Sequence, residues 1–265
     1  MLRIRKIVIV IAAALATTLS AAAHAGRSCE ARKPTLQTLE RGLELAQRTV
    51  EALDASGAQV VVLARAGQDL GKYGLRYSHL GFAYRQPDGQ WRIVHKLNQC
   101  GTADSAVYRQ GLGDFFLDDL WRYEAAWIIP TPQTQQQLLP MLQDDRRIAS
   151  MHQRAYSIVS YAWGRKYQQS NQWAIETLAA AVEPAAGSRE RAQAWLQFKG
   201  YEPTTLRLGP LTRLGGRLTA ANVAFDDHPD AKRFSDRIET VTVDSVFTWL
   251  QRSGMGGAPV TLRLP

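Results

Sequence analysis

Apolar positions follow two different periods along the chain, and the change of period separates predicted helices from predicted strands. Between residues 35 and 56, leucine, alanine and valine recur at helical spacing, which predicts an amphipathic helix ending at Gly57. The apolar run at 59–65 that follows predicts a buried strand, and residues 66–74 form a glycine-rich polar loop. A helix followed directly by a buried strand indicates a layered fold.

The next two segments predict a β-hairpin. Residues 78–84 and 91–97 are both rich in apolar side chains at strand spacing, and Pro87-Asp88-Gly89-Gln90 between them is typical of a turn. A short helix or turn is expected at 118–123. Further along, the patterns predict helices at 134–142, 146–151, 170–182, 189–199 and 244–252, and strands at 125–129, 238–243 and, in an otherwise loose tail, 260–264.

Helices and hairpin strands therefore alternate in mixed order, with few signs of repeated βαβ crossovers. This order favours an α+β fold, with an antiparallel sheet packed on helices, over a doubly wound α/β fold. Neither an internal repeat nor a low-complexity linker interrupts the chain.

The N-terminus has the pattern of a secretory signal peptide. Arg3, Arg5 and Lys6 precede a charge-free apolar run at residues 7–16, and Ala23-His24-Ala25 forms a cleavage site. We expect residues 1–25 to be removed and residues 26–265 to form a single periplasmic domain. The alternative is an uncleaved anchor, but the apolar run is shorter than the roughly 20 residues needed to span a bilayer. No later segment has the pattern of a transmembrane helix.

Net charge limits the possible binding partners, and cysteine content indicates a disulfide. The chain has 32 Lys and Arg against 24 Asp and Glu, a net charge of +8, of which three charges leave with the signal. Because the basic residues are scattered, the sequence predicts no nucleic-acid partner. A basic surface favours anionic envelope polymers or lipid headgroups, or is simply a solvated mixed surface. Cys29 and Cys100 predict one disulfide in an exported protein, with a reactive Cys100 as the alternative.

His79 is the first candidate for chemistry, because it stands inside an apolar strand. A histidine there requires either a hydrogen-bond partner or a functional role. His95 lies on the neighbouring hairpin strand, and Asn98 follows three residues later. The structural alternatives are that His79 only bonds a neighbouring backbone carbonyl and that His95 only caps the sheet edge.

Several stretches carry a resemblance to a known family over nearly the whole mature chain. They are 76–81 (Arg-Tyr-Ser-His-Leu-Gly), 94–98, 108–112, 114–116, 170–173 (Ser-Asn-Gln-Trp) and 224–229. The chain resembles the bacterial domain-of-unknown-function family 2145. The opening strand and Tyr77-Ser78-His79-Leu80-Gly81-Phe82 also resemble circularly permuted NlpC-type papain-like proteins. That resemblance implies a permuted papain-like fold, in which the histidine strand precedes a nucleophile at a helix N-terminus. It also implies that His79 is the general base and that His95, or as a weaker choice Asn98, orients it.

The position implied for the nucleophile holds Ser170 rather than the cysteine of the papain-like template. A helix N-terminus stabilises an anion, but a serine hydroxyl ionises far less readily than a thiol. Three interpretations remain. Ser170 is a nucleophile with His79 as its base, or the site binds a ligand without turnover, or Ser170 is only a helix N-cap.

The resemblance thus implies two functions. The first is an envelope hydrolase or acyltransferase of amidase or peptidase type, acting on peptidoglycan, a peptide or an acyl substrate with His79, Ser170 and His95. The alternative is a catalytically silent periplasmic protein that binds a ligand or partner. No cofactor is expected. Asp226-Asp227-His228 suggests a metal, but three adjacent side chains cannot easily reach one ion, so a polar loop is preferred and no metal is expected.

Overall fold

A computed structural model describes residues 34–118 and 120–265 of the chain. The predicted signal peptide and Cys29 lie outside these residues, as does the start of the predicted 26–265 domain. The described residues form an antiparallel sheet packed on helices, which confirms the predicted α+β class. The predicted permuted papain-like arrangement stays a prediction.

The main sheet has six antiparallel strands in the spatial order β4-β3-β2-β1-β5-β8. Its strands are β1 (Val60–Ala66), β2 (His79–Arg85), β3 (Trp91–Asn98), β4 (Ser105–Gly111), β5 (Arg122–Ile128) and β8 (Val260–Arg263). Two short strands, β6 (Thr204–Arg207) and β7 (Arg237–Thr240), pair with each other in a separate small sheet.

The predicted hairpin is present between β2 and β3. Arg85 pairs with Trp91, and the Gln86 N–H donates to the Gln90 carbonyl at 2.8 Å to close the turn. Gly89 adopts a φ of 86°, a conformation that other residues rarely adopt, which explains the glycine at this position. The turn therefore fixes the register that brings the two histidine-bearing strands together.

Helices cover both faces of the main sheet. They are α1 (Leu36–Ser56), α2 (Leu112–Phe116), α3 (Pro132–Gln143), α4 (Asp145–Ser150), α5 (Ser170–Val182), α6 (Arg189–Phe198), α7 (Pro210–Thr219), α8 (Asp230–Arg233) and α9 (Val243–Arg252). None of the helices in the described part combines the length and apolar character required to cross a membrane.

The alternation of side chains along the strands divides the core into two layers. On one face, Val61 and Leu63 of β1 pack with α1 and α2. On the other face, Val60 and Val62 pack with α3, α5, α6 and α9. Because successive strand residues point to opposite faces, each strand position can be assigned to one of these two layers.

Five elements were not predicted from the sequence: β4, α2, β6, α7 and α8. The predicted short helix or turn at 118–123 is wrong at its end, where Arg122 already begins β5. In β4 the segment Ser105-Ala106-Val107-Tyr108-Arg109-Gln110-Gly111 has few apolar residues, because it is an edge strand that is only half-buried. Such a strand is held by backbone pairing with β3, which hydrophobic periodicity does not report.

Candidate functional site

Three polar residues lie side by side on the sheet face covered by α1 and α2. Arg65 of β1 is paired with His79 of β2, and the His95 ring of β3 lies beside the His79 ring. The Phe115 ring of α2 covers both imidazoles, with ring-centroid distances of 5.9 Å to His79 and 5.3 Å to His95. This row is therefore enclosed between the sheet and a short helix that the sequence analysis did not predict.

The two histidines form a directed hydrogen-bond chain. His79 Nε2 lies 2.9 Å from His95 Nδ1, and His95 Nε2 lies 2.6 Å from Gln110 Oε1. An amide oxygen only accepts, so His95 carries its proton on Nε2 and accepts on Nδ1. His79 then donates from Nε2, which leaves His79 Nδ1 as a lone-pair acceptor. The structure thus brings the two predicted histidines together and adds Gln110, which the sequence analysis did not single out.

Both imidazoles are held neutral. Burial lowers the pKa of His79 well below its usual value, and the nearby positive charge of Arg65 lowers it further. Burial likewise lowers the pKa of His95 to about 4, again with a contribution from Arg65 and against the opposing hydrogen bond to Gln110. The Arg65 guanidinium itself donates to the Phe115 carbonyl and to the Asp118 carboxylate. A neutral, oriented His79 has the protonation state that a general base needs.

Ser170 is the first residue of α5, and its environment differs from the predicted one. Gln169, not Ser170, caps the helix, because its side chain accepts from the Asn171 N–H at 2.9 Å. Ser170 lies near the phenol of Tyr156, whose pKa is raised by burial against a smaller, opposing effect of Ser170. Ser170 is thus neither the predicted N-cap nor exposed, since it is buried against another side chain.

His79 and Ser170 lie on opposite faces of the sheet. The Leu80 N–H donates to Asn171 Oδ1 at 3.0 Å, and the Leu80 side chain packs in the α5 layer. His79, one residue earlier, points to the other face, where a Cβ on Gly81 would lie 2.7 Å from His95 Cβ. The predicted pairing of a Ser170 nucleophile with a His79 base is therefore not formed, because the sheet separates the two side chains.

A second polar cluster lies beneath α5. Lys96 follows His95 on β3 but points into the α5 layer, where its Nζ donates to the Gln153 carbonyl at 2.7 Å and to Gln168 Oε1 at 2.8 Å. Gln168 also donates to Glu176, which forms a 2.8 Å ion pair with Arg189. Burial lowers the pKa of Lys96 to about 6, with a smaller contribution from the charge of Arg189. This cluster was not predicted from the sequence, although Glu176 inside an apolar helix was a signal for it.

Comparison with known protein families shows to which family the chain belongs. The model of a family described as uncharacterized protein conserved in bacteria, DUF2145, matches residues 52–250. The chain belongs to the DUF2145 family. Both polar clusters fall inside the matched region. No curated protein and no solved structure matches the chain.

The remaining candidates in this DUF2145 chain are placed as follows. The exposed Cys100 follows β3 in a turn. The Cys29–Cys100 disulfide stays a prediction, since Cys29 lies outside the described residues. In the loop at 226–228, His228 Nδ1 pairs with Asp227 at 2.9 Å, whereas Asp226 pairs with Lys166. The described residues contain no group of three or more metal-ligating side chains.

A surface cavity lies beside the glycine-rich loop that follows β1. Its volume is about 180 Å³, and it is lined by Gln68, Asp69, Leu70, Gly71, Gly74, Leu75, Arg76, Trp121 and Arg122. The Trp121 side chain is largely exposed, and the backbone N–H of Trp121 donates to the Ala66 carbonyl at the end of β1. The buried Glu124 carboxylate holds Arg76 at 2.6 Å. Within this DUF2145 chain, the cavity therefore combines an aromatic wall with two guanidinium groups.

The close approach of β2 to β3 at the histidines gives a testable prediction. In Gly81→Ala the new Cβ would meet His95 Cβ at 2.7 Å and the Val94 carbonyl at 2.9 Å, so one strand must shift. We expect the free energy of unfolding to fall by about 1 to 3 kcal/mol, measured by urea denaturation.

Gly215→Ala in α7 is the matched control, because no atom lies within 4 Å of the position that its Cβ would take. Removing a helix glycine there should stabilise the protein by about 0.5 to 1 kcal/mol. Equal effects of the two substitutions would contradict the close packing of Gly81 on His95.

Proposed function

We propose that this DUF2145 protein is a catalytically silent binding protein of the bacterial periplasm. The observation that carries the proposal is the placement of His79 and Ser170 on opposite faces of the sheet. Ser170 is buried near the Tyr156 phenol, and the His79 Nε2 lies 2.9 Å from His95 Nδ1. A serine without a base in reach lacks the activation that nucleophilic catalysis requires.

Export and a disulfide belong to the same proposal. The basic, apolar and small-residue segments of residues 1–25 support secretion through a cleaved signal peptide. An oxidising compartment supports a disulfide between Cys29 and Cys100 in the mature chain. A long loop closed in this way would tie the start of the mature chain to the turn after β3.

The cavity beside Trp121 supplies the binding chemistry. An exposed indole offers a flat apolar surface, and the Arg76 and Arg122 guanidinium groups can bind a carboxylate. Peptidoglycan carries both sugar rings and peptide carboxylates, so it fits this lining better than an acyl chain does. We therefore place peptidoglycan, or a peptide from it, first among the predicted envelope partners.

One experiment tests both the proposed lack of catalysis and the proposed binding of peptidoglycan. The mature protein is incubated with a serine-directed acylating probe and analysed by intact mass, and it is sedimented separately with purified peptidoglycan. We expect no probe adduct and retention in the peptidoglycan pellet. Trp121→Ala should reduce retention about tenfold, whereas Phe198→Ala, an exposed aromatic outside the cavity lining, should not. A probe adduct that Ser170→Ala removes would overturn catalytic silence, and equal retention of both aromatic variants would overturn the cavity assignment.

A hydrolase remains the second candidate because of the His79–His95–Gln110 chain. Its geometry leaves a neutral His79 Nδ1 that could accept a proton from water or from a substrate group. This candidate predicts that the protein releases soluble fragments from the sedimented peptidoglycan and that His79→Gln abolishes the release. Release that persists in His79→Gln would exclude His79 as the base.

A further inference from the structure

Helix α7 presents its leucines to solvent rather than to the core. Leu211, Leu214 and Leu218 lie on one stripe of the helix and are 83%, 53% and 77% exposed. Residues at such spacing normally face the protein interior. An unpartnered apolar stripe on a helix commonly marks a surface that contacts another apolar phase.

The opposite side of α7 fixes this orientation. Arg213 is buried, and its Nε donates to the Leu208 carbonyl at 3.0 Å while its Nη1 donates to the Arg233 carbonyl at 2.6 Å. Its guanidinium also lies over the Phe225 ring, with its carbon 5.2 Å from the ring centroid. Rolling the leucines inward would break these bonds and leave a buried guanidinium without partners. The exposure of the leucines is therefore built into the packing of the helix.

Glycine packing supports the same orientation. Gly216 lies on the inner side of α7, and a Cβ there would meet Val223 Cγ1 at 3.2 Å. The helix thus approaches its neighbour through its smallest residue, on the side away from the leucine stripe. A larger inward-facing residue would not fit without a shift of Val223.

Basic side chains flank the leucine stripe. Residues 203–225 contain three arginines and no acidic residue, and two of the three, Arg207 and Arg217, are exposed. Phe234, which directly follows α8, is also exposed, and it lies next to the Arg233 carbonyl that holds Arg213. A helix with leucines on one side and arginines beside them has the composition of helices that lie in the interface of anionic membranes.

We propose that α7 docks this protein peripherally on an anionic phospholipid surface. Leu211, Leu214 and Leu218 would enter the region below the headgroups, and Arg207 and Arg217 would contact the lipid phosphates. Charge complementarity favours this partner over a second copy of the chain, since two α7 faces would bring their exposed arginines together. The surface uses residues separate from the Trp121 cavity, so it does not depend on peptidoglycan binding.

Flotation with lipid vesicles tests the proposal. The mature chain is mixed with vesicles of phosphatidylcholine alone or with 30% phosphatidylglycerol, a composition of about one anionic lipid in three. We expect flotation only with the anionic vesicles, and a loss of at least about tenfold when Leu211, Leu214 and Leu218 are replaced together by glutamine. Arg217→Gln should weaken flotation less, and added salt should weaken it further.

A matched control and a second measurement make the test decisive. Leu36→Gln/Leu43→Gln changes two exposed leucines of α1 and should leave flotation unchanged. Circular dichroism and size-exclusion chromatography with light scattering are recorded for every variant. Absence of flotation, equal flotation with neutral vesicles, or a wild-type dimer that the triple α7 variant converts to a folded monomer would each overturn membrane docking.

Discussion

Replacing Glu176 by alanine lowers the free energy of unfolding by about 3 to 5 kcal/mol, the range for breaking a buried ion pair. Glu176 is almost fully buried on α5 and accepts from Arg189 Nε at 2.8 Å, Gln193 Nε2 at 2.6 Å and Gln168 Nε2 at 2.5 Å. Removing the carboxylate leaves the Arg189 guanidinium without its counter-charge, and the Gln168 and Gln193 amides each lose one acceptor and keep only a bond to a backbone carbonyl. The loss therefore reflects uncompensated partners as much as the missing attraction.

Glu190→Ala is the control for this prediction. Glu190 also pairs with an arginine, Arg165, at 2.6 Å, but both side chains are more than 60% exposed. Water already solvates these charges, so the substitution should cost less than about 1 kcal/mol. Urea denaturation of both variants measures the difference. Similar losses of unfolding free energy would show that water solvates the network beneath α5 as it solvates the surface ion pair.

Acidification destabilises the protein through its neutral histidine pair. The pKa of His95 is lowered to about 4 in the folded chain and that of His79 is lowered as well, whereas both side chains titrate near 6.5 when unfolded. As the pH falls below 6.5, the unfolded chain binds protons that the folded chain does not bind, so folding stability is lost toward pH 4. The stability contribution is therefore fully present above about pH 6.5.

His95→Gln should flatten this pH dependence. Between pH 7.5 and pH 4.5 the wild type should lose about 2 to 3 kcal/mol more unfolding free energy than the variant does, because the His95 proton no longer contributes. Denaturation at a series of pH values measures the difference. The variant loses its bonds to His79 and Gln110, so its curve should start lower and converge with that of the wild type. Parallel curves would contradict a neutral His95 in the folded protein.

The local sequence pattern was sufficient to predict an element where the element is amphipathic and ends at a clear turn or helix-ending residue. Helix α1 ends before Gly57, whose φ of 68° explains the glycine, and the β2–β3 hairpin closes at Gly89. Hydrophobic spacing and turn chemistry act within a few residues, so a sequence displays them directly. Helix α7 was not predicted because it contains two adjacent glycines and its leucines are not packed in the core.

The residues of the candidate site likewise divide into those that the sequence predicted and those that only the tertiary structure placed. The sequence predicted that His79 and His95 lie on neighbouring hairpin strands, and the structure adds that the two imidazoles are in contact. Only the tertiary structure decided that α5 packs on the other face, which places Ser170 with Tyr156 and gives Lys96 and Glu176 their buried partners. Side-chain alternation states which residues of a strand share a face, but the choice of helix for each face depends on contacts between segments far apart in the chain. That choice is made by the packing of whole layers, which no local pattern contains.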